Sequence, residues 1–308
     1  SWVDNQVQEI YSHTTSKSLE NNAKLFDHVL NTYDRVQGGG LLGVSTGFLE
    51  LDSLLYGWQD ELLYVVGARP AIGKSVFLSN TGVHVAKQGL PVAFFSYEMG
   101  ASQLMSRAVC AELHINASRL KSGKLFPEEL SKLQESKKFF SQLPLYIAKP
   151  TDPTPASLVA KAKKLVRDKG VGLILVDYLQ LMSWPQGQNR EQEISEIARQ
   201  LKLLAEGLKV PVIAVTQLNR AVELREDKRP MLADLRESGA IEQHSDVVIL
   251  LHRPEVYRIP EFPSGLSTQN TAQAIVAKHR DGETGEPYLA FDGPHLKFSN
   301  FSRREFDL

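Results

Sequence analysis

The sequence predicts an α/β fold: a mostly parallel sheet with helices on both faces and antiparallel strands at one edge. Three observations predict it. From residue 44 to 252, apolar runs such as LLYVVG (62–67), GLILVD (172–177) and DVVILLH (246–252) alternate with helical patterns. Near-continuous apolar runs suit strands covered on both faces, and intervening helices make the crossovers that parallel pairing requires. After residue 270 the helical patterns stop, and AQAIVAKHR, PYLAFDG and LKFSN follow as three short strands. The 308 residues are enough for one large domain of this class.

The elements follow in order. A strand at 62–67 leads into a helix from Lys74 to Lys87. PVAFFS (91–96) is a strand, followed by a helix over about 101–113. Pro127 opens a helix at its first position, with Glu128 and Glu129 in the first turn, where acids meet the positive helix end. LYIA (145–148) is a short strand, and Thr154-Pro155 starts another helix. The run 172–177 is a strand. In 190–208, Ile194, Ile197, Ala198, Leu201, Leu204, Ala205 and Leu208 share one helical face. VPVIAVT (210–216) and DVVILLH (246–252) are strands, and 253–270 reads as an exposed loop.

Residues 1–43 differ. They are polar and close with Gly38-Gly39-Gly40. LFDHVLNTYDRV (25–36) puts Leu25, Val29, Leu30, Tyr33 and Val36 at helical spacing, with a shorter helical piece around Val7 and Ile10. A lone helix of this length is marginal in water, so it calls for a surface on the main domain or a neighbouring subunit. The chain opens without methionine and reads as a fragment of something longer.

Composition excludes several classes. Hydrophobic residues make up 42% and charged residues 23%, as in an ordinary globular protein. No apolar run approaches the roughly 18–20 residues of a membrane span. Cys110 is the single cysteine, which rules out an internal disulfide or a thiolate cluster and favours the cytoplasm. The net charge is −1, so any nucleic-acid contact must use local positive charge.

Ligands of open parallel sheets sit at the carboxyl ends of the strands. The first strand ends in GARPAIGKS (67–75). Gly73-Lys74-Ser75 closes like a phosphate-binding loop, but counting back four residues puts Ala68, not Gly67, at the first glycine position. In such a loop, Lys74 reaches the β- and γ-phosphates and the Ser75 hydroxyl ligates Mg²⁺. LILVD ends in Asp177, which fits the second acid of an NTPase magnesium site or a capping acid. Glu98, just past the next strand, fits a base for an attacking water or a helix-start acid. Gln217 at the end of VIAVTQ fits a γ-phosphate sensor or an ordinary loop amide. Lys278 and Arg280 sit late, before the turn-forming Asp281-Gly282, as reach-across cations or solvated bases. The mixed-charge stretch 219–240 carries Arg220, Arg225, Lys228, Arg229 and Arg236 without interleaved aromatics.

Together STGFLELDSLLYGW, GARPAIGKS, FFSYEM, LILVDYLQLM, VIAVTQLNR, DLRESGAIEQHSDVVILLHR and KHRDGETG resemble, in this order, the motor domain of the DnaB family of replicative DNA helicases. The resemblance runs from about Leu25 to the end. It implies a RecA-like P-loop NTPase core, with 1–43 as a linker region and 44–308 as the motor. It implies a homohexameric ring that uses ATP and Mg²⁺ to move 5′→3′ along single-stranded DNA. Ala68, Arg69, Pro70, Ala71, Ile72, Gly73, Lys74, Ser75 and Val76 would bind nucleotide, and Ser75 and Asp177 the metal. Lys74, Glu98 and Gln217 would act in catalysis, with Lys278 and Arg280 supplied across a subunit interface. Arg236, Glu237 and Gly239 would contact DNA. The implied partners are single-stranded DNA, primase and a helicase loader, with no membrane. The family's collar domain, which meets primase, is not in this sequence. Tyr97, His279 and Asp281 depart from common family residues. Two other readings share the nucleotide site: a strand-pairing recombinase and a nucleotide-gated scaffold. The DLRESG segment and the set Glu98, Gln217 and Arg280 argue against them.

Overall fold

The computed structural model describes residues 22–183, 190–235 and 239–302. Its contacts divide into two units, Ser1–Leu42 and Gly43–Leu308. In the first, helix α1 (Asn22–Gln37) carries Arg35 in its last turn, whose guanidinium donates to Leu42 O. Leu25, Phe26, Val29, Leu30 and Tyr33 are all exposed on it. The helical piece expected around Val7 and Ile10 lies outside the described residues.

The second unit runs α2 (Leu49–Leu55), β1 (Leu63–Ala68), α3 (Lys74–Lys87), β2 (Val92–Ser96) and α4 (Ala101–Leu113). Then come α5 (Ala117–Ser122), α6 (Pro127–Glu135), α7 (Lys137–Gln142), β3 (Leu145–Ala148) and α8 (Pro155–Lys169). It continues with β4 (Leu173–Asp177), α9 (Arg190–Leu208), β5 (Val212–Gln217), α10 (Gly239–His244) and β6 (Val247–His252). It closes with β7 (Thr271–His279), β8 (Tyr288–Asp292) and β9 (Lys297–Asn300). One sheet has the order β3-β2-β4-β5-β1-β6-β7-β8-β9. The first six strands pair in parallel, and β7, β8 and β9 add on antiparallel.

The burial of β1 explains its unbroken apolar sequence. Tyr64, Val66 and Ala68 face a core shared with Phe77 and Leu78 of α3. Leu63 and Val65 face the opposite core, filled by Leu158 of α8 and by Ile194, Ile197 and Leu201 of α9. The period of two is present, but both faces are dry. Helix starts follow local chemistry. Thr154 Oγ1 accepts the Ser157 N–H at 3.3 Å with Pro155 behind it, and Gly170 ends α8 in the left-handed region.

Two expectations needed correction. The segment 253–270 is not a plain exposed loop, because Pro254, Phe262 and Thr268 are buried in it. The seven-residue α2 has no counterpart in the sequence reading; it is too short to show periodicity. It is held by Asp52, whose carboxylate accepts from Ser45 Oγ and the Thr46 N–H, both at 2.6 Å.

Candidate functional site

The register of the parallel strands brings four expected positions to one end of the sheet. Ala68 pairs with Gln217, and Ser96 with Asp177. The bend after β2 then delivers Glu98, and the turn after β1 delivers the phosphate-type loop. A cavity of about 560 Å³ opens there. Arg69, Pro70, Ala71, Gly73, Lys74, Ser75 and Val76 line it, with Glu98 and Gln217. Met99, Gln103, Arg107, Phe291 and Leu296 complete its lining. Ile72 is buried in the core instead.

Backbone geometry explains the loop's glycines. Gly73 has φ +116°, and a Cβ on it would sit 3.1 Å from the Phe298 ring, so only glycine fits. It is followed directly by α3, whose N-terminus carries no side-chain cap. Uncapped N–H groups and the positive end of the helix dipole form an anion cradle. Ala68 closes β1, so the strand runs one residue beyond the expected end. Gly67 lies within the strand. A Cβ there would meet Leu218 at 2.8 Å, Leu250 at 3.0 Å and Leu235 at 3.2 Å. That glycine serves packing, not phosphate.

Asp177 is fully buried, and neither carboxylate oxygen has a hydrogen-bond partner. Burial pushes its pKa up; nearby Ser75, Lys74 and Arg107 oppose this, while Glu98 adds to it. Ser75 is close enough to favour the charged form, but its hydroxyl does not complete a well-aligned bond. Orphaned carboxylate oxygens beside a serine hydroxyl suit a hard cation such as Mg²⁺, which binds oxygen and retains several waters. The Lys74 ammonium is held below its usual range mainly by burial, against the pull of Asp177 and Glu98. It lies 5.4 Å from the Tyr178 ring centre. Arg107 is likewise lowered by burial and drawn back by the same two acids. The site thus gathers cations beside a cradle open to an anion.

Gln217 is fixed from the side. Its backbone N–H donates to Gln180 Oε1 at 3.2 Å, and Gln180 Nε2 donates to Thr216 Oγ1 at 2.6 Å and Gln217 O at 3.2 Å. Arg190, at the start of α9, donates to Gln180 O. Arg69 lines the cavity but is tied at its tip to the segment after β5. Its guanidinium donates to Leu218 O at 2.7 Å and to Glu223 at 2.8 Å. Sequence reasoning missed Gln103, Arg107 and Gln180. Gln103 and Arg107 are four apart on α4, and a polar pair at that spacing was the available signal.

Lys278 and Arg280 are not at this cavity. The Lys278 ammonium donates to Glu242 O and Ser245 O at 2.5 and 2.6 Å. The Arg280 N–H donates to Asp246 O, and the Asp246 N–H donates to Leu63 O. Leu63 is five residues before Ala68, roughly 16 Å back along the strand. Arg236 and Glu237 lie outside the described residues, and Gly239 begins α10. The neighbouring arginines are engaged internally: Arg225 pairs with Asp234, and Arg229 with Glu286 at 2.5 Å.

Comparison with known proteins agrees with this architecture. The profile of the family described as DnaB-like helicase C terminal domain matches residues 43–300. The replicative DNA helicase DnaB of Geobacillus stearothermophilus is 41% identical over 314 residues, covering 98% of this chain and 66% of that protein. The replicative DNA helicase DnaC of Bacillus subtilis strain 168 is 40% identical, with the same coverage. This chain therefore spans just under two thirds of those relatives' length. The solved ATPase domain of G40P superposes with a TM-score of 0.83 at 33% identity, covering 90% of this chain and 99% of that one. A solved DnaB-like replicative helicase, described with its interactions with primase, gives 0.82 at 31% identity over 97% of this chain and 72% of that one. The sheet order, the cavity at its carboxyl edge and these matches lead to one assignment: the chain belongs to the DnaB-like helicase family, with the RecA-like fold of its C-terminal domain.

Proposed function

We propose that this chain is the ATP-driven motor of a replicative DNA helicase, working as a homohexameric ring that moves 5′→3′ along single-stranded DNA. The observation that carries the reading is Asp177, buried beneath Lys74 and Ser75 with both carboxylate oxygens unpaired. Such a group is costly unless a cation completes it. Ser75 and Asp177 would hold Mg²⁺, which when bound neutralises developing phosphate charge. The loop 68–76 binds the triphosphate, and Lys74 contacts its outer phosphates. Glu98 orients and deprotonates the attacking water. The Gln217 side chain reads the γ-phosphate, while Gln180 keeps its backbone still.

Lys278 and Arg280 act on the site of a neighbouring subunit. Their distance from this chain's own cradle supports that role, and it requires a head-to-tail interface. Residues 1–43 are the linker region and 44–308 the motor. The exposed apolar face of α1 supports docking on an adjacent subunit, because a helix this apolar on one side needs a partner. Arg236, Glu237 and Gly239 contact DNA backbone phosphates, which suits sequence-independent grip. Primase and a loader are the expected protein partners, in the cytoplasm. Among the described residues, no helix is long and apolar enough to cross a membrane.

Unwinding of forked DNA with one tail blocked tests the whole reading. Loss of unwinding with a blocked 5′ tail and not with a blocked 3′ tail is expected. ATP-dependent strand pairing without unwinding would reject it in favour of a recombinase.

A further inference from the structure

Outside the nucleotide cavity, three side chains from two separate elements aim ligand atoms at one spot. His114 follows α4, and Asp292 and His295 flank the turn between β8 and β9. One nitrogen or oxygen of each lies within 4.8 Å of the others. Asp292 Oδ2 is the hub, 2.7 Å from His295 Nδ1 and 3.7 Å from His114 Nε2. The two imidazole rings stack with centres 3.6 Å apart and planes 18° apart. The backbone holds the elements together: the Ala117 N–H donates to Pro294 O at 2.9 Å, and the His295 N–H to Asp292 Oδ1 at 3.3 Å.

We propose that His114, Asp292 and His295 form a binding site for a divalent transition-metal ion of the zinc type, separate from the Ser75–Asp177 site. Two imidazoles and one carboxylate suit Zn²⁺, Co²⁺ or Ni²⁺, whereas Mg²⁺ prefers oxygen ligands throughout. Three protein ligands leave a fourth tetrahedral position to water. Near-parallel rings do not point their lone pairs at one point, so one ring must turn. His114 is the free member, with 63% of its side chain exposed, against 18% for His295. On binding, the ring of His295 takes the tautomer with its proton on Nε2, so that the Nδ1 lone pair forms the metal–nitrogen bond.

The position gives the ion a structural task. Phe291 precedes Asp292, Leu296 follows His295, and both line the nucleotide cavity. Helix α4, which ends beside His114, supplies Gln103 and Arg107 to the same lining. The ion therefore ties together α4 and the β8–β9 turn, two elements that both line that cavity.

Titration of the nucleotide-free protein with Co²⁺, followed by visible absorption, tests the site. The expected result is one equivalent bound with a four-coordinate band, displaced by Zn²⁺ and unaffected by millimolar Mg²⁺. His114→Ala is expected to weaken binding by about 10-fold or more, and Asp177→Asn to leave it unchanged. Zn²⁺ is expected to raise the melting temperature of the wild-type chain and not that of His114→Ala. His114 is exposed, so this variant folds; His295→Ala, checked by its own melt, repeats the test from the buried side. Absence of the band, or a band that survives His114→Ala, overturns the proposal. A band lost in Asp177→Asn instead places the cobalt in the magnesium site and also overturns it. The test uses no nucleotide, so its outcome is independent of the ATPase reading.

Discussion

Two aspartates at opposite ends of the sheet are equally buried and differently treated. At the carboxyl end, Asp177 has no hydrogen-bond partner for either oxygen. At the amino end, Asp246 accepts the Leu63 N–H and the Lys202 ammonium on Oδ2, both at 2.8 Å, and faces Arg280 from Oδ1 at 3.2 Å. One end is finished by the chain itself. The other places a buried acid without a hydrogen-bond partner beside Lys74 and Arg107, both held below their usual range by burial. Folding alone would favour the first arrangement everywhere, so the second marks where function outweighs stability.

The largest effect is expected from Lys74→Ala. Steady-state ATP hydrolysis should fall by at least about 10³-fold, since a charge aimed at the transferring phosphate is removed. Wild-type turnover in that variant would sink the phosphate-loop assignment. Arg280→Ala comes next, with ATPase lost by about 10²–10³-fold and assembly retained. Its folding stability should change by no more than about 1 kcal/mol, because the arginine is half-exposed and Asp246 keeps Lys202. Mixing it with Lys74→Ala subunits should restore hydrolysis; no recovery at any ratio would remove the case for action across the interface.

A third test sharpens the picture of the carboxyl end. His252, the last residue of β6, is buried there, and burial pushes its pKa down to about 4 from the usual 6.5. As pH falls, the unfolded chain takes the proton first. Stability is then flat above about pH 6.5 and declines toward pH 4 by about 3 kcal/mol. Denaturant melts should show that slope in the wild type and lose it in His252→Asn; an equal slope in both would reject the assignment. The smallest effect is a gain. Asp177→Asn should stabilise the ligand-free fold by about 1 kcal/mol while ending magnesium-dependent hydrolysis. A lower melting temperature in Asp177→Asn would mean that the carboxylate is satisfied after all.

What was legible in the sequence divides along a physical line. Strands buried on both faces, α3 and α9 followed from periodicity, and the phosphate loop followed from local spacing. Asp177 and Gln217 end strands of one parallel sheet and Glu98 lies just past another, which made them candidates; the family resemblance then favoured their functional readings over the plain ones. Gln103 and Arg107 reach the cavity, and Gln180 its support, by tertiary packing; the i, i+4 spacing of the first two marks a shared helix face but not what that face meets. Arg69 falls on both sides of that line. Its position within the loop suggested nucleotide contact; it does line the cavity, and its guanidinium also pairs with Glu223, a link that no local pattern records. Two residues chosen for DNA contact, Arg236 and Glu237, fall outside the described residues.

That use of Arg69 has a mechanical consequence. A side chain rooted in the loop after β1 is bolted at its far end to Leu218 and Glu223, just beyond the strand that carries Gln217. The cradle and the following segment therefore share a tie rod. Any shift of that loop would be passed on as a pull on residues 218–223, with no need for β1 or β5 to move.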